Sequence, residues 1–191
     1  MEFIEVIKKR ASIRKYSAKK PDMELAIAAI EAAHVAPSPG NLNLFKYVIV
    51  EDKEKIKEIS EACQQPFIET ASILVVVTSD SKQAERMYDK RGEKYTRQTA
   101  GAVIENFLLA ITDMGLASCW IGAFSDFQIH NILQIPDNIT IEAILPVAYE
   151  YKTNHIKQRK KLPLDGKLYF NTYGYYNRVR LKSSQVRRTD I

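Results

Sequence analysis

The stretch Gly115-Leu116-Ala117-Ser118-Cys119-Trp120-Ile121-Gly122-Ala123 follows a strongly apolar, helix-favouring segment, Thr99 to Met114. Gly115 is a natural end for that helix, since glycine tolerates the left-handed conformation found at helix C-termini. Ala117 to Ile121 is typical of a buried strand, and the small residues after it would let a ligand approach backbone N–H groups. The helix is apolar around much of its circumference, which predicts burial on several sides, as at a subunit interface.

Further helices and strands are predicted on both sides of this stretch. Helices are expected from residue 3 to about Arg10, from Pro21 to about Val35, around Ile56 to Cys63 and after the cap residue Ser125, and strands at Tyr47 to Val50, Ile73 to Thr78 and Thr140 to Tyr149. Residues 80–97 are charged and weakly periodic, so we expect an exposed helix or a mobile loop. Taken alone, this order of elements would also allow a parallel α/β sheet.

Composition restricts the class of protein. The chain has 191 residues, of which 46% are hydrophobic, enough for the core of one domain or of one domain with an appendage. Its apolar runs, such as Ile73 to Val77, are far shorter than the roughly 20 residues of a membrane span, and no signal peptide is recognisable. We therefore expect a cytoplasmic protein that does not associate with a membrane. The two cysteines and three histidines have no metal-ligand spacing, so we expect no metal.

Charge is distributed unevenly. The net charge is +5, but residues 1–150 hold 17 basic and 21 acidic groups, whereas residues 151–191 hold 11 basic and 2 acidic groups. The basic end would suit an anionic ligand, an acidic partner surface or nucleic acid, or is simply a solvated tail. A nucleic-acid-binding face spread over the whole domain is not supported.

Two polar segments are candidates for ligand binding. In an extended Arg10-Ala11-Ser12-Ile13-Arg14, the side chains of residues 10, 12 and 14 would point the same way and could clamp a phosphate. Ala36-Pro37-Ser38-Pro39-Gly40-Asn41-Leu42-Asn43 is a rigid loop whose two amides could read the edge of a planar ring. From spacing alone, a solvated cationic turn is the favoured interpretation of the first segment and an ordinary connector that of the second. Because no hydrolase, Walker or dinucleotide motif is present, any reactivity is expected to come from a cofactor.

Together and in this order, the segments resemble the FMN-dependent nitroreductase family. Its R-x-S-x-R-x-F/Y motif is matched by Arg10, Ser12, Arg14 and Tyr16, and its A-P-S-x-x-N loop is matched by Ala36, Pro37, Ser38 and Asn41. Its G-L-x-x-C-W-I-G motif is matched by Gly115, Leu116 and Cys119 to Gly122. Its I-P-D/E turn is matched by Ile135 to Asp137, and its basic stretch by Lys157, Arg159 and Lys160. Two departures are Asn43, where the family often has Gln, and Ala148-Tyr149-Glu150, where it has G-Y-P.

The resemblance implies an α+β fold, with a central mixed β-sheet flanked by helices, in an intertwined homodimer with two FMN sites at the interface. Residues 1–165 would form the FMN-binding domain. Residues 166–191 would form a basic C-terminal extension that packs on the partner subunit or is partly mobile.

The resemblance also implies the residues of the site. Arg10 and Arg159, helped by Lys157, would bind the phosphate, Ser12 the phosphate or ribityl end, and Arg14 the N1 and O2 side of the flavin. Asn41 and Asn43 would bind the ring edge or ribityl chain, the Gly122 and Ala123 backbone would approach N5 and O4, and Pro37, Ser38, Pro39, Trp120 and Ile121 would complete the site. No residue is assigned as a catalytic acid, because the flavin carries the chemistry.

The implied reaction is a two-electron transfer from NADH or NADPH through the flavin to a nitroaromatic, a quinone or a similar small acceptor, in two half-reactions. Within the family, dehalogenating or flavin-modifying chemistry is an alternative. A non-redox FMN-binding protein, or a nucleic-acid-binding protein that uses the basic tail, is a more distant one; nucleic acid is not the expected partner.

Overall fold

The computed structural model describes residues 1–151 and 167–174. Six helices and three strands are described: α1 (Phe3–Lys9), α2 (Met23–His34), β1 (Phe45–Val50), α3 (Lys53–Cys63), β2 (Ile73–Ser79), α4 (Lys82–Tyr88), α5 (Arg91–Asp113), α6 (Asp126–Leu133) and β3 (Thr140–Val147). Short 3-10 turns lie at Pro39–Asn41 and Pro66–Thr70. The chain divides into a unit of residues 1–152 and one of residues 153–191. The predicted domain boundary after residue 165 lies outside the described residues.

The three strands form an antiparallel sheet in the order β1-β2-β3. Every residue of the central strand β2 is buried, because both faces of the sheet are covered. The predicted mixed sheet is wrong for these strands. The sequence could not show this, because a strand buried on both faces has the same continuous apolar pattern whatever its direction. Within the described residues, parallel pairing is confined to one isolated bridge, between Ser12 and Ser118.

The predicted strand at residues 117–121 is an extended segment rather than a regular strand. Ala117 and Ile121 form isolated antiparallel bridges with Ala148 and Ile144, and the Ile121–Ile144 bridge has hydrogen bonds of 3.1 and 3.0 Å. The segment therefore runs beside β3 and brings the stretch that follows α5 to the edge of the sheet.

Two apolar clusters enclose the sheet. One packs α2 and α5 against β-strand residues such as Val75, and its centre includes the fully buried Phe107. The other packs α3 and α6 against the alternate residues, such as Val76. The apolar circumference of α5 is thus covered to a large extent within one chain. No helix among the described residues has the length and apolarity needed to cross a membrane.

The charged segment at residues 80–97 is helical, as α4 and the first turns of α5. The two helices meet at Gly92, where an added Cβ would lie only 2.3 Å from the backbone nitrogen of Glu85. The buried Thr96 hydroxyl donates to the Gly92 carbonyl at 2.9 Å. Backbone contact at this glycine therefore fixes α4 on α5.

The buried thiol of Cys63 predicts a loss of stability in alkali. Burial raises the pKa of Cys63 from its ordinary value of 9.0 to about 11. Between these values the unfolded chain releases a proton that the folded chain retains, so the free energy of unfolding should fall as the pH rises, by at most about 1.4 kcal/mol per pH unit. Chemical denaturation from pH 8 to pH 11 measures this, and Cys63→Ala should flatten the decline. An equally steep decline in the variant would exclude Cys63 as its source.

Candidate cofactor-binding site

The arginine segment leaves α1 in an extended conformation. The Arg10 amide closes the last helical turn by donating to the Val6 carbonyl at 2.8 Å, and the backbone then turns away. Ile13 N donates to the Ser118 carbonyl at 2.9 Å. The fold therefore brings the arginine segment and the stretch around Trp120 together, although about a hundred residues separate them in sequence.

Tyr16 anchors the far end of this segment. Its buried hydroxyl donates to the Ile13 carbonyl at 2.8 Å, and its backbone forms a bridge with Glu150. Burial, with a smaller contribution from Cys119, raises the pKa of the Tyr16 phenol above its ordinary value, because the charged form would lose its solvation. Ser12 and Arg14 are exposed between these anchors.

Arg10 differs from Arg14 in its surroundings. Its side chain is only 14% exposed, and its Nε lies 3.1 Å from Glu105 Oε1 on α5. The sequence reasoning did not identify Glu105. The sequence did contain a signal for a charged partner, because Glu105 is the only charged residue between Thr99 and Thr112.

The end of the extended segment 117–121, beside the arginine segment, is accessible. Trp120 is 41% exposed, and Gly122 and Ala123 are exposed, whereas Ile121 is buried against β3. Among the described residues, a Cβ added to Gly122 would meet only the Trp120 Nε1 within 4 Å, at 3.9 Å. We call Ser12, Arg14, Trp120, Gly122 and Ala123 the arginine surface. It combines a cation with backbone that a planar ligand can approach closely.

Ser118 supplies a further polar group near this surface. Its Oγ is buried and has no hydrogen-bond partner among the described residues. A buried hydroxyl without a partner is costly, so a donor or acceptor from outside the described protein atoms would be stabilising there.

The proline-rich loop contacts different elements. Gly40 and Asn41 adopt left-handed φ angles of 58° and 55°, and the turn packs on α5. A Cβ on Gly40 would lie 2.9 Å from Met87 Sδ and 3.0 Å from the Tyr88 hydroxyl on α4. These α4 contacts are ones that sequence reasoning missed, since no local pattern links residue 40 to residues 87 and 88.

The loop's predicted ligand-binding residues are accessible to different degrees. Pro37, Asn41 and Asn43 are exposed, whereas Ser38 and Pro39 are half-buried. A groove of about 190 Å³ adjoins Asn43 and is lined also by Lys46, Ser79 and Asp80. The loop therefore packs on α4 and α5 and leaves its two amide side chains exposed to solvent. Lys157 and Arg159, predicted to bind the phosphate, lie outside the described residues.

Comparison with known proteins identifies the family. The model of the nitroreductase family matches residues 7–67 and 60–149. A protein of Archaeoglobus fulgidus, provisionally named an NADH dehydrogenase/NAD(P)H nitroreductase, is 31% identical over 153 residues, which are 78% of this chain and 85% of that protein. The chain belongs to the nitroreductase family. The predicted family and the predicted NAD(P)H oxidoreductase class are thereby confirmed.

Two further proteins to which this chain is similar extend the comparison. The crystal structure of NADPH:FMN oxidoreductase from Vibrio harveyi, complexed with NAD+, is 26% identical, with a TM-score of 0.77 over 92% of this chain and 79% of that one. Iodotyrosine deiodinase from Thermotoga neapolitana is 24% identical over 161 residues, which are 76% of this chain and 87% of that protein. The predicted cofactors, FMN with NADH or NADPH, agree with the first of these names.

Proposed function

We propose that this protein binds FMN and transfers two electrons from NADH or NADPH to a small acceptor, such as a nitroaromatic or a quinone, in two successive half-reactions. The observation that carries the proposal is the arginine surface. The backbone contact between Ile13 and Ser118 puts a segment with two guanidinium groups beside the extended segment that leads to the exposed Gly122 and Ala123. FMN has the matching parts: a phosphate, a polar chain and a planar ring.

The residues of this chain fit FMN in charge and in hydrogen-bonding chemistry. Arg10, with Lys157 and Arg159, would hold the phosphate, because guanidinium groups match phosphate oxygens in geometry and charge. Ser12 would bind the phosphate or the ribityl chain. The exposed backbone of Gly122 and Ala123 would face the ring, and the Ser118 hydroxyl, which has no hydrogen-bond partner among the described residues, lies in the adjoining segment. The amide side chains of Asn41 and Asn43 would donate hydrogen bonds to, and accept them from, the ring edge or the ribityl chain.

FMN, when bound, supplies the two-electron redox chemistry, and the protein residues bind it and tune its potential. Arg14 is exposed on the arginine surface and carries a positive charge. A cation near N1 and O2 favours the reduced form, which is the more negative one. Arg14 would therefore raise the midpoint potential without taking part in proton transfer.

Replacing Arg14 with glutamine should lower that potential while most FMN stays bound. A charge about 4 Å away contributes about 4 kcal/mol at an effective dielectric of 20, and we expect about 1 kcal/mol to remain after screening. This corresponds to roughly 20 mV for a two-electron couple. Anaerobic redox titration of both proteins is the measurement. An unchanged potential with fully bound flavin would remove Arg14 from the neighbourhood of the ring.

Steady-state kinetics test the proposed reaction order. When NADH or NADPH is varied at several fixed concentrations of a nitroaromatic or a quinone, double-reciprocal plots should give parallel lines, because the donor leaves before the acceptor binds. Intersecting lines would contradict successive half-reactions at one site.

The iodotyrosine deiodinase relative supports a second candidate reaction. In reductive deiodination, two electrons and a proton replace the carbon–iodine bond with a carbon–hydrogen bond and release iodide. Iodide release from iodotyrosine, compared with turnover of nitroaromatics and quinones by the same FMN-loaded protein, separates the two candidates.

A homodimer is part of the proposal. On α1, Phe3, Ile4 and Ile7 are 65%, 51% and 42% exposed, and an apolar helix face of this kind is usually covered. This face supports the dimer better than α5, whose apolar residues pack largely within one chain. Sedimentation of the FMN-loaded protein should give about 44 kDa, twice the chain mass of 21.8 kDa. An active species of the chain mass would contradict the dimer.

A further inference from the structure

A carboxylate on α5 contacts the first arginine of the N-terminal segment. Glu105 Oε1 lies 3.1 Å from Arg10 Nε, and the two side chains are 44% and 14% exposed. We propose that Glu105 is a positioning residue that orients the Arg10 guanidinium to receive the phosphate of FMN. The inference rests on the proposed function, which assigns Arg10 to that phosphate.

The backbone around Arg10 is already fixed. The Arg10 amide donates to the Val6 carbonyl at 2.8 Å, and Ile13 N donates to the Ser118 carbonyl at 2.9 Å. What remains to be ordered is the long, flexible arginine side chain. Ordering it before the ligand arrives reduces the entropy lost on binding, which is how preorganisation increases affinity. The ion pair with Glu105 contributes to this order.

Glu105 has a rigid base. It lies in the middle of the 23-residue helix α5, and its neighbours Ile104 and Phe107 are fully buried in the core. The backbone of Glu105 is therefore held at a constant place relative to the sheet. It is also the only charge in a stretch of fourteen residues, Thr99 to Thr112, so its contact with Arg10 accounts for an otherwise isolated charge in an apolar segment.

Two effects of the carboxylate on phosphate binding oppose each other. Orienting Arg10 strengthens binding, whereas the negative charge of Glu105 repels the phosphate. Glu105 would lie farther from the phosphate than from Arg10, and because Glu105 is 44% exposed, solvent screens its repulsion of the phosphate. The 3.1 Å contact between Glu105 and Arg10 is direct and is screened less. We therefore expect orientation to dominate, and removal of Glu105 to weaken FMN binding.

The test is a double-mutant cycle, read as FMN affinity in fluorescence titrations of the apoproteins. Glu105→Ala should weaken binding by about tenfold, by analogy with the loss of an outer-shell partner at a metal site. Glu105→Gln keeps an acceptor oxygen at the same reach and should weaken binding by about threefold. In an Arg10→Ala background neither change should have a further effect, because nothing remains to be oriented.

Asp113→Ala is the matched control. Asp113 also lies on α5 and also pairs with the N-terminal segment, through the Met1 ammonium at 2.7 Å. Its removal deletes the same charge from the same helix and should leave FMN affinity unchanged. Thermal unfolding of each apoprotein shows whether the variants fold. If Glu105→Ala does not fold, the double-mutant cycle is measured with Glu105→Gln instead.

The possible results are distinguishable. Binding by the Glu105 variants that equals or exceeds that of the wild type would overturn the inference, and so would an equal loss with and without Arg10. Wild-type protein that binds no FMN would overturn the proposed function and the inference together. If the wild type binds FMN and Arg10→Ala binds it equally well, the phosphate role of Arg10 is wrong, and so is the role of Glu105.

Discussion

Arg10→Ala should weaken FMN binding by ten- to a hundredfold while changing the chemistry of the bound flavin much less. A charge-assisted contact with phosphate is worth about 1.5–3 kcal/mol, which gives that range of affinity. The effect should lie at the upper end, because the Arg10 side chain is only 14% exposed and a partly desolvated charge interacts more strongly. Flavin titration of the apoprotein measures the affinity, and the reduction rate at saturating FMN measures the chemistry.

Lys20→Ala is a suitable control for this experiment. Lys20 also forms an ion pair, with Glu51 at 3.1 Å, but both side chains are well exposed. Its loss removes one positive charge and one ion pair without touching the arginine surface. FMN affinity should then change little. Equal affinities for wild type and Arg10→Ala would show that Arg10 does not bind the phosphate.

Gly92→Ala should have the largest effect on stability. The added methyl carbon would lie 2.3–2.5 Å from backbone atoms of Ala84 and Glu85, far inside the usual contact distance of 3.5–4.0 Å. Backbone cannot move aside as the end of a side chain can, so α4 must shift on α5. We expect the free energy of unfolding to fall by about 2–3 kcal/mol, and Tm by about 5–10 °C. Calorimetry at a fixed protein concentration is the measurement.

Gly101→Ala provides the matched control on the same helix. A Cβ at Gly101 has no neighbour within 4 Å in the part of the chain that the structure describes, so alanine should stabilise α5 by up to about 1 kcal/mol through its better helix propensity. Gly92→Ala should also loosen the Pro39–Asn41 turn, which contacts Met87 and Tyr88 on α4. If both alanine variants were equally stable, the close packing of α4 on α5 would be disproved.

Much of the fold could be predicted from local pattern. The apolar run of β2 and the Ser125 cap, whose side chain accepts from the Gln128 amide, are found as expected. Strand direction was not predictable, because alternation and burial do not encode it. The start of α5 at Arg91, ahead of the expected Thr99, was hidden by charged residues that favour a helix without an apolar period.

The site divides in the same way. Residue types indicated that Arg10, Ser12 and Arg14 suit a phosphate, but only the family resemblance joined them to the stretch around Trp120. The Ile13–Ser118 hydrogen bond that unites them depends on the whole sheet being assembled. The ion pair of Arg10 with Glu105 is likewise a product of packing between α1 and α5. Contacts between distant segments are therefore the part that the sequence alone could not supply.

The most direct test of the account is the visible spectrum of the FMN-loaded protein, recorded without oxygen before and after addition of NADH or NADPH. We predict that the bound flavin is bleached by one of these donors, and that its absorption returns when a nitroaromatic or a quinone is added in equal amount. Failure to bind FMN, or bound FMN that stays oxidised with both donors, would contradict the account.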